Sequence, residues 1–263
     1  MVPIICEEPQ FLVVNKPAGL FSQAASGIDC VEQQVANYIR VRDQHTGSPF
    51  IGLPHRLDRG TSGIMLLARN QRALKRFGDQ FQSRKVGKFY LAIVRGECDF
   101  DLVNWEDFIR KVPDQPRAEI ASENETGSRR ASLTAKLIAS AENFSLLLIH
   151  LHTGRMHQIR LQAASRGWAL LGDTPYGGPA EFQFGEMHSA DSQQYSWHRF
   201  GLHALRLEFR HPKNAARLAI TAEIPDYWNE LPTIITEKLT AIESLSKASA
   251  RDSWIDQLAE LQI

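Results

Sequence analysis

The chain has 263 residues, of which 43% are hydrophobic and 23% are charged, as in an ordinary globular protein. Its length fits one large domain or two small ones. No apolar run reaches the ~18 residues that a membrane-spanning helix needs. The segment Met1–Pro9 lacks the basic and apolar parts of a signal peptide. These exclusions predict a cytoplasmic protein.

The charge of the chain is balanced overall but unevenly distributed. Thirty basic and thirty acidic residues give a formal net charge of zero, which argues against a polyanion partner for the chain as a whole. Residues Ile51–Gly96, however, contain ten Lys or Arg and only two Asp, a local net of +8, whereas Asp226–Ile263 has three basic and seven acidic residues, a net of −4. The basic segment fits either phosphate contact or a solvated helix face.

The first predicted elements are a strand and a helix. Phe11–Val14 is an apolar run that ends in the turn-forming segment Asn15–Gly19 and predicts a buried strand. Asp29 and Glu32 have the spacing of a capping box. The helix that would follow carries its apolar face on Val31, Val35 and Ile39.

A second strand, a basic helix and a third strand follow. The apolar run Ile64–Ala68 predicts a buried strand, and it comes directly after the polar, glycine-containing stretch Asp58–Gly63. Apolar residues between Ala73 and Phe81 recur at helical spacing with basic residues between them, which predicts a basic amphipathic helix. Phe89–Val94 predicts another buried strand.

The middle of the chain predicts a loop, a strand pair and a short helix. Asp114–Arg130 is polar and contains Pro and Gly, so we expect mostly loop. Ala131–Ala139 and Phe144–Leu151 are expected to form an antiparallel pair. Met156–Arg166 has weak helical character, and Gly167 is placed as its stop signal.

The last part of the chain predicts a loop, two strands and two helices. Gly177–Phe200 is hydrophilic and aperiodic, which predicts a long surface loop. His203–Arg210 and Arg217–Glu223 predict strands. Helical spacing marks two C-terminal helices, on Leu239, Ile242 and Leu245 and on Trp254, Ile255, Leu258 and Leu261. Because strands and helices do not alternate regularly, we predict an α+β fold with a largely antiparallel sheet and flanking helices.

Neither metal nor cofactor motifs stand out. Three widely spaced cysteines, Cys6, Cys30 and Cys98, predict no disulfide framework and no zinc site. His150 and His152 would share a strand face, for which structural use is favoured over metal binding. No Gly-rich phosphate loop follows a strand. We therefore expect no metal and no cofactor.

Three polar segments could carry chemistry. In His55-Arg56-Leu57-Asp58-Arg59, an aspartate between two arginines precedes a buried strand, and both arginines favour its ionised form. Lys88 and Tyr90 share a strand face, where a tyrosine can stack on a base near phosphate. Arg155 follows a Thr-Gly break at a helix start, where the helix dipole does not favour a cation, so a partner such as Asp58 is expected. A turn aspartate, a core tyrosine and an exposed arginine are the alternatives.

Together these segments resemble the RluA-type pseudouridine synthases. His55–Asp58, Lys88-x-Tyr90 and Thr153–Arg160 are similar to three motifs of that family, in the same order. Further similar segments are Leu12–Gly19, Leu170–Gly177, Leu202–Ala204 and His211–Pro212. The resemblance covers residues 4–225 and implies the pseudouridine synthase fold with a central RNA-binding cleft. Nothing ahead of Pro3 resembles the S4-type RNA-binding domain that many members carry, so we expect a stand-alone catalytic domain at 1–230 and a helical extension at 231–263.

The resemblance also implies the site residues. Asp58 corresponds to the essential aspartate, Tyr90 to the tyrosine that stacks on the target uracil, and Arg155 to the basic residue that pairs with the aspartate. Arg56 corresponds to an arginine that can fill the gap left by the flipped nucleotide. We add five further predicted RNA contacts: Arg59, Lys85, Lys88, His157 and Arg160.

The predicted activity is isomerisation of a uridine in structured rRNA or tRNA by a monomeric enzyme. Asp58 could attack C6 of the uracil or C1′ of the ribose, or could remove a ribose proton to give a glycal-like intermediate. Two other functions remain open, an inactive RNA-binding protein of the same fold and a nucleobase-removing glycosylase. Departures of residues 178–200 and of the tail after Asp226 from the family pattern leave the target RNA open.

Overall fold

The computed structural model describes residues 1–141, 143–179 and 199–248, which divide into two compact units. The first unit consists mainly of Met1–Gly87 and His203–Pro225. The second contains the described residues of 88–179, 200–202 and 226–248. Both units combine helices with mostly antiparallel strands, which confirms the predicted α+β class. The predicted division into 1–230 and 231–263 stays a prediction.

The described elements are ten strands and four α-helices. In chain order they are β1 (Ile4–Glu7), β2 (Phe11–Lys16), α1 (Val31–Arg42), β3 (Ser62–Ala68), α2 (Gln71–Gln82), β4 (Gly87–Arg95), β5 (Leu102–Lys111), β6 (Ala118–Ala121), β7 (Arg129–Ala141), β8 (Phe144–Leu151), α3 (Gln158–Ala164), β9 (Leu202–Arg210), β10 (Arg217–Thr221) and α4 (Thr233–Ala248). Two short 3₁₀ turns lie at Thr174–Tyr176 and Asp226–Glu230.

The first unit is built around the buried strand β3. Strand β2 pairs antiparallel with β1 on one side and with β3 on the other, β3 pairs parallel with the start of β9, and β10 pairs antiparallel with β9. All seven residues of β3 are buried, as expected for a continuous apolar run. Phe11, Phe77 and Phe209 meet edge to face with ring centroids 5.7–5.8 Å apart, and they pack α2 onto this sheet.

Gly63, at the start of β3, is required by a close backbone approach. It lies opposite Ala204 in the parallel pair of β3 and β9 and has a φ of +112°. A Cβ placed there would lie 2.1 Å from the carbonyl oxygen of Ala204. A side chain at this position would therefore force β9 away from β3, the strand that follows the Asp58 segment.

The second unit is an antiparallel sheet with strand order β4-β8-β7-β5-β6. The predicted pairing of β7 with β8 is confirmed, with Ala135 opposite Ile149. Trp105 on β5 and most of α3 are buried. Helix α4 packs against β7.

Several sequence predictions about local structure were wrong. Helix α1 begins after Cys30, whose side chain makes no capping hydrogen bond, so the capping box of Asp29 and Glu32 does not form. Instead, Asp29 accepts a hydrogen bond from the Gln34 side chain at 2.8 Å. The predicted loop Asp114–Arg130 contains strand β6, which the weakly apolar sequence Ala-Glu-Ile-Ala did not reveal because its pairing with β5 supplies the stability. Strands β1 and β5 were not predicted from the sequence.

Some predictions fall on residues outside the described ranges. These are most of the loop predicted at Gly177–Phe200 and the whole helix predicted around Trp254–Leu261. Among the described helices, none has the length and apolar character that a membrane crossing requires. Within the same described ranges, no three His, Cys, Asp or Glu side chains are grouped as metal ligands would be.

Candidate active site

Asp58 lies in a tight turn that immediately precedes β3 in the first unit. The backbone N–H of Thr61 donates to the carbonyl oxygen of Asp58 at 3.1 Å and closes the turn. Asp58 itself is half-buried. On its N-terminal side, the N–H of Leu57 donates to Ser22 Oγ at 3.0 Å, and Ser22 Oγ donates to the Leu57 carbonyl at 2.7 Å. These bonds hold the backbone before Asp58 in one conformation.

The backbone after Asp58 is held just as firmly, by Lys16 and Gly19. The N–H of Gly19 donates to the Arg59 carbonyl at 2.7 Å, and Arg59 Nε donates back to the Gly19 carbonyl at 2.9 Å. The Arg59 guanidinium lies over the Phe21 ring, 4.6 Å from its centroid. The segment 16–22 is thus the platform on which the Asp58 turn is built.

Lys16 is a buried lysine at the centre of this platform, and the sequence alone predicted no role for it. Its Nζ donates to the carbonyl oxygens of Pro17 at 3.0 Å, Leu20 at 2.7 Å and Arg59 at 3.1 Å. Three acceptors match the three N–H groups of an ammonium. Burial lowers the pKa of Lys16 to about 7, while the negative charge of Asp58 opposes this shift. The sequence feature that could have indicated this role is the position of Lys16 as the last residue of the apolar strand β2.

The lowered pKa of Lys16 predicts a specific dependence of stability on pH. Between about pH 7 and the unfolded-state pKa near ~10.4, the unfolded chain binds a proton that the folded protein has released, so stability rises with pH. We expect this group to add a slope of up to about 1.4 kcal/mol per pH unit. Urea unfolding of Lys16→Met at several pH values should lack that slope, and the exposed control Lys85→Met should keep it. Equal pH dependence of Lys16→Met and the unmodified protein would contradict the assignment.

The other predicted residues of the first unit differ in exposure. Arg56 and Lys85 are exposed, so both can reach a solvent-side partner. His55 is held between β3 and α2, because its Nε2 accepts the Leu66 N–H at 2.9 Å and its ring stacks on Phe81 at 4.7 Å. Arg59 is half-buried and bonded to Gly19, which gives it a structural part in the turn beside any contact with RNA.

In the second unit, β4 carries Lys88 and Tyr90 on one face, as strand alternation predicts. Tyr90 is 8% exposed and lies opposite Ile149 of β8. Lys88 Nζ donates to the carbonyl oxygen of Thr153 at 3.0 Å, so β4 is tied to the loop that carries the third motif. On the opposite face, Phe89 stacks on His150 at 4.5 Å.

The third motif forms a loop fixed to β7, ahead of α3. Thr153 Oγ1 accepts the N–H of Ser132 at 2.9 Å and donates to Gln158 Oε1 at 2.7 Å. The same Gln158 oxygen accepts the N–H of Arg155 at 3.1 Å. Arg155 is half-buried, and its Nε donates to the Arg130 carbonyl at 3.0 Å. The helix begins at Gln158, so Arg155 precedes it instead of standing in its first turn.

His157 and Arg160 hold the start of α3 in place. His157 has a left-handed φ of 54° at the N-cap, and its Nδ1 lies 2.9 Å from the Tyr176 hydroxyl. Arg160 forms a two-point ion pair with Asp173, at 2.7 and 2.8 Å, and lies over the rings of Tyr176 and Phe200. The Arg160 side chain is only 5% exposed. Its burial does not fit the predicted RNA contact, because its charge is already neutralised inside the unit.

His150 on β8 and His152, one residue past its end, form the pair that alternation predicted. Their rings lie 4.4 Å apart, and Thr134 Oγ1 is 2.8 Å from Nε2 of His152. Burial, helped by the nearby His152 and Lys88, lowers the pKa of His150 to about 4. His150 is therefore neutral near pH 7, and burial also lowers the pKa of His152, so the pair belongs to the packing of the sheet.

Comparison with known proteins assigns the chain to a family. A family model described as RNA pseudouridylate synthase matches residues 10–165, a range that includes the Asp58 turn, Tyr90 and Arg155. The chain belongs to the RNA pseudouridylate synthase family. The resemblance to RluA-type enzymes is thereby confirmed, and members of this family are isomerases that act on RNA.

Bacterial relatives in this family have different targets. The dual-specificity RNA pseudouridine synthase RluA of Vibrio vulnificus is 33% identical over 80% of this chain and 78% of its own length. The tRNA pseudouridine synthase C of Haemophilus ducreyi is 32% identical over 87% and 93%. The ribosomal large subunit pseudouridine synthase D of Xanthomonas campestris is 29% identical over 93% and 72%.

Solved structures agree on the fold. The human RNA pseudouridylate synthase domain containing 4 superposes with a TM-score of 0.68 at 19% identity and covers 90% of this chain and 93% of its own. The human RNA pseudouridylate synthase domain containing 1 superposes with a TM-score of 0.63 at 22% identity. The match covers 96% of this chain and 97% of that one. The predicted pseudouridine synthase fold is confirmed.

The structure groups the predicted site residues within each unit. Arg56, Asp58 and Arg59 lie together on the turn before β3, and Lys88 is bonded to the loop that carries Arg155. Asp58 belongs to the first unit, and Tyr90 and Arg155 belong to the second. The pairing of Arg155 with Asp58 stays a prediction.

Proposed function

We propose that this protein isomerises a specific uridine in structured rRNA or tRNA to pseudouridine, with Asp58 as the catalytic carboxylate. The observation that carries the proposal is the fixed Asp58 turn, which is hydrogen-bonded to Ser22 on one side and to Lys16 and Gly19 on the other. A carboxylate carried on a backbone held in one conformation has less freedom to lose when the substrate binds, which favours reaction with a positioned nucleotide. The relatives act on ribosomal RNA, on tRNA or on two substrates, which supports this substrate class.

The reaction needs an extruded nucleotide and a charged carboxylate. The N1–C1′ bond breaks, the uracil turns, and a C5–C1′ bond forms while C5 loses its hydrogen as a proton and N1 takes up a proton. Because the target atoms are inaccessible in a stacked helix, the uridine must be flipped, at a cost of a few kcal/mol. Asp58 then attacks C6 or C1′, or removes a ribose proton.

Tyr90 and Arg155 have further roles in the proposed reaction. In this proposal Tyr90 stacks on the flipped uracil, and Arg155 stabilises the carboxylate charge of Asp58. The hydrogen bonds from Arg155 to Gln158 and Arg130 support this role, because the first fixes its backbone N–H and the second positions its guanidinium through Nε. Exposed Arg56 would fill the gap in the helix, and exposed Lys85 would contact phosphate.

Tritium release from RNA that contains 5-tritiated uridine tests the proposal. Isomerisation releases tritium to water and leaves the chain intact, and digestion of the product yields pseudouridine. A glycosylase would instead give free uracil and abasic sites. An RNA-binding protein without activity would retain all tritium while shifting the RNA in a gel. The substrate in this assay is total cellular RNA that lacks the modification. Glycosylase products, or binding without tritium release, would overturn the proposal.

The role of Tyr90 gives a second prediction. Tyr90→Phe keeps the ring for stacking and removes the hydroxyl, so we expect RNA affinity to stay within a factor of two while turnover falls by about 10²-fold through lost proton handling. Single-turnover tritium release, together with filter binding, measures both quantities. Full turnover in Tyr90→Phe would limit Tyr90 to stacking, and Tyr90→Leu would then be the variant that loses activity.

A further inference from the structure

A band of exposed cations covers the outer face of α2 and the turn that follows it in the first unit. Between Gln71 and Lys85 there are five basic residues and one acidic residue, Asp79. Their exposed side chains are those of Arg72, Lys75, Arg76, Arg84 and Lys85. The apolar face of the same helix is used for packing, since Ala73 and Phe77 are buried. The cations therefore all point away from the core of the unit.

The turn between β9 and β10 extends this band. Arg76 Nη1 donates to the carbonyl oxygen of Pro212, and the Gln80 side chain bonds both the N–H and the carbonyl of Arg210, at 2.8 and 2.9 Å. These contacts bring exposed Lys213 next to α2. In the described part of the chain, no carboxylate forms an ion pair with Arg72, Lys75 or Lys213, so the positive charge is not neutralised locally.

The band runs from the far end of β3 towards the Asp58 turn. Asp58 precedes β3, and α2 begins after it, so Arg72 and Asp58 lie at opposite ends of a seven-residue strand that is about 20 Å long. Helix α2 spans about 18 Å. Its last turn meets the catalytic segment where Phe81 stacks on His55. A chain of negative charges that leaves the Asp58 turn could therefore follow α2 to the β9–β10 turn.

We propose that α2 and the β9–β10 turn form a second contact surface, which binds the phosphate backbone of the substrate RNA away from the target uridine. The proposal rests on the proposed function, because it assigns this surface to the RNA on which Asp58 acts. A band of exposed cations fits a polyphosphate chain, and phosphate contacts provide affinity without sequence preference. The surface would add affinity and orient the RNA but would leave the chemical step unchanged.

The salt dependence of RNA binding tests this surface. Each phosphate contact contributes about 0.7–0.9 to the slope of log affinity against log salt concentration. We expect Arg72→Ala/Lys75→Ala to lower the slope by about 1.4–1.8, and Lys213→Ala to lower it further, in filter binding with total rRNA or tRNA. Single-turnover release of tritium at saturating RNA should stay at the level of the unmodified protein. The fold should be retained, because alanine has a high helix propensity at both positions. Removing Arg72 also takes a cation away from the first turn, where the helix dipole disfavours positive charge.

A matched control removes the same charge elsewhere. Arg40→Ala/Arg95→Ala neutralises two exposed arginines, one on α1 and one at the end of β4. For this control, the slope of log RNA affinity against log salt concentration should equal that of the unmodified protein. An unchanged slope in Arg72→Ala/Lys75→Ala, or an equal loss in both pairs, overturns the proposed surface even when the enzyme is active. If the unmodified protein releases no tritium from the RNA, the proposed function is overturned instead. The salt dependence then measures RNA binding alone.

Discussion

Replacing Asp58 with Asn is expected to lower the single-turnover rate of isomerisation by about 10³-fold or more. The amide keeps the size of the carboxylate but loses the negative charge that can attack the uridine or take a proton. Because the neighbouring hydrogen bonds are made by the backbone of Leu57, Arg59 and Thr61, the turn should keep its shape. RNA affinity should therefore change by less than a factor of three, as measured by filter binding.

Asp79→Asn is the matched control for this prediction. It makes the same chemical change in the same unit, on an exposed residue of α2, and raises the net charge by the same amount. We expect normal turnover from it. Near-normal turnover of Asp58→Asn would exclude Asp58 as the catalytic carboxylate, whereas equal losses in both variants would point to charge and not chemistry.

The largest expected effect on stability comes from the buried pair of Arg160 and Asp173. Asp173 is fully buried, and two hydrogen bonds join it to the guanidinium. Asp173→Asn leaves the Arg160 charge buried with no counter-charge in this pair, which costs about 3–5 kcal/mol of the free energy of unfolding. Urea unfolding followed by circular dichroism should show a correspondingly lower midpoint.

Two further variants separate the buried pair from general charge effects. Arg160→Met/Asp173→Leu removes both charges and should be more stable than Asp173→Asn, because no buried charge remains. Arg110→Ala breaks solvent-exposed pairs with Glu119 and Glu125 and should have little effect. A midpoint for Asp173→Asn equal to that of the unmodified protein would show that the pair does not stabilise the unit.

The sequence predicted the elements whose patterns are local. Phe11–Val14, Ile64–Ala68 and Phe144–Leu151 are apolar runs, and each forms a buried strand because the run itself requires burial. Strand β6 escaped prediction because its Ala-Glu-Ile-Ala sequence is stabilised by pairing with β5 and not by its own pattern. The capping box failed for a related reason: α1 begins one residue later than Asp29 would require as its cap.

For the site, the sequence determined which residue types are present and in what order. The ordered motifs around Asp58, Tyr90 and Arg155 identified the family, which the comparison with known proteins confirmed. Only the tertiary structure decided how those residues are used. It placed Lys16 under the Asp58 turn and enclosed Arg160 with Asp173, since hydrogen bonds between distant segments, such as Lys16 with Arg59, depend on how the chain folds back and leave no periodic trace in the sequence.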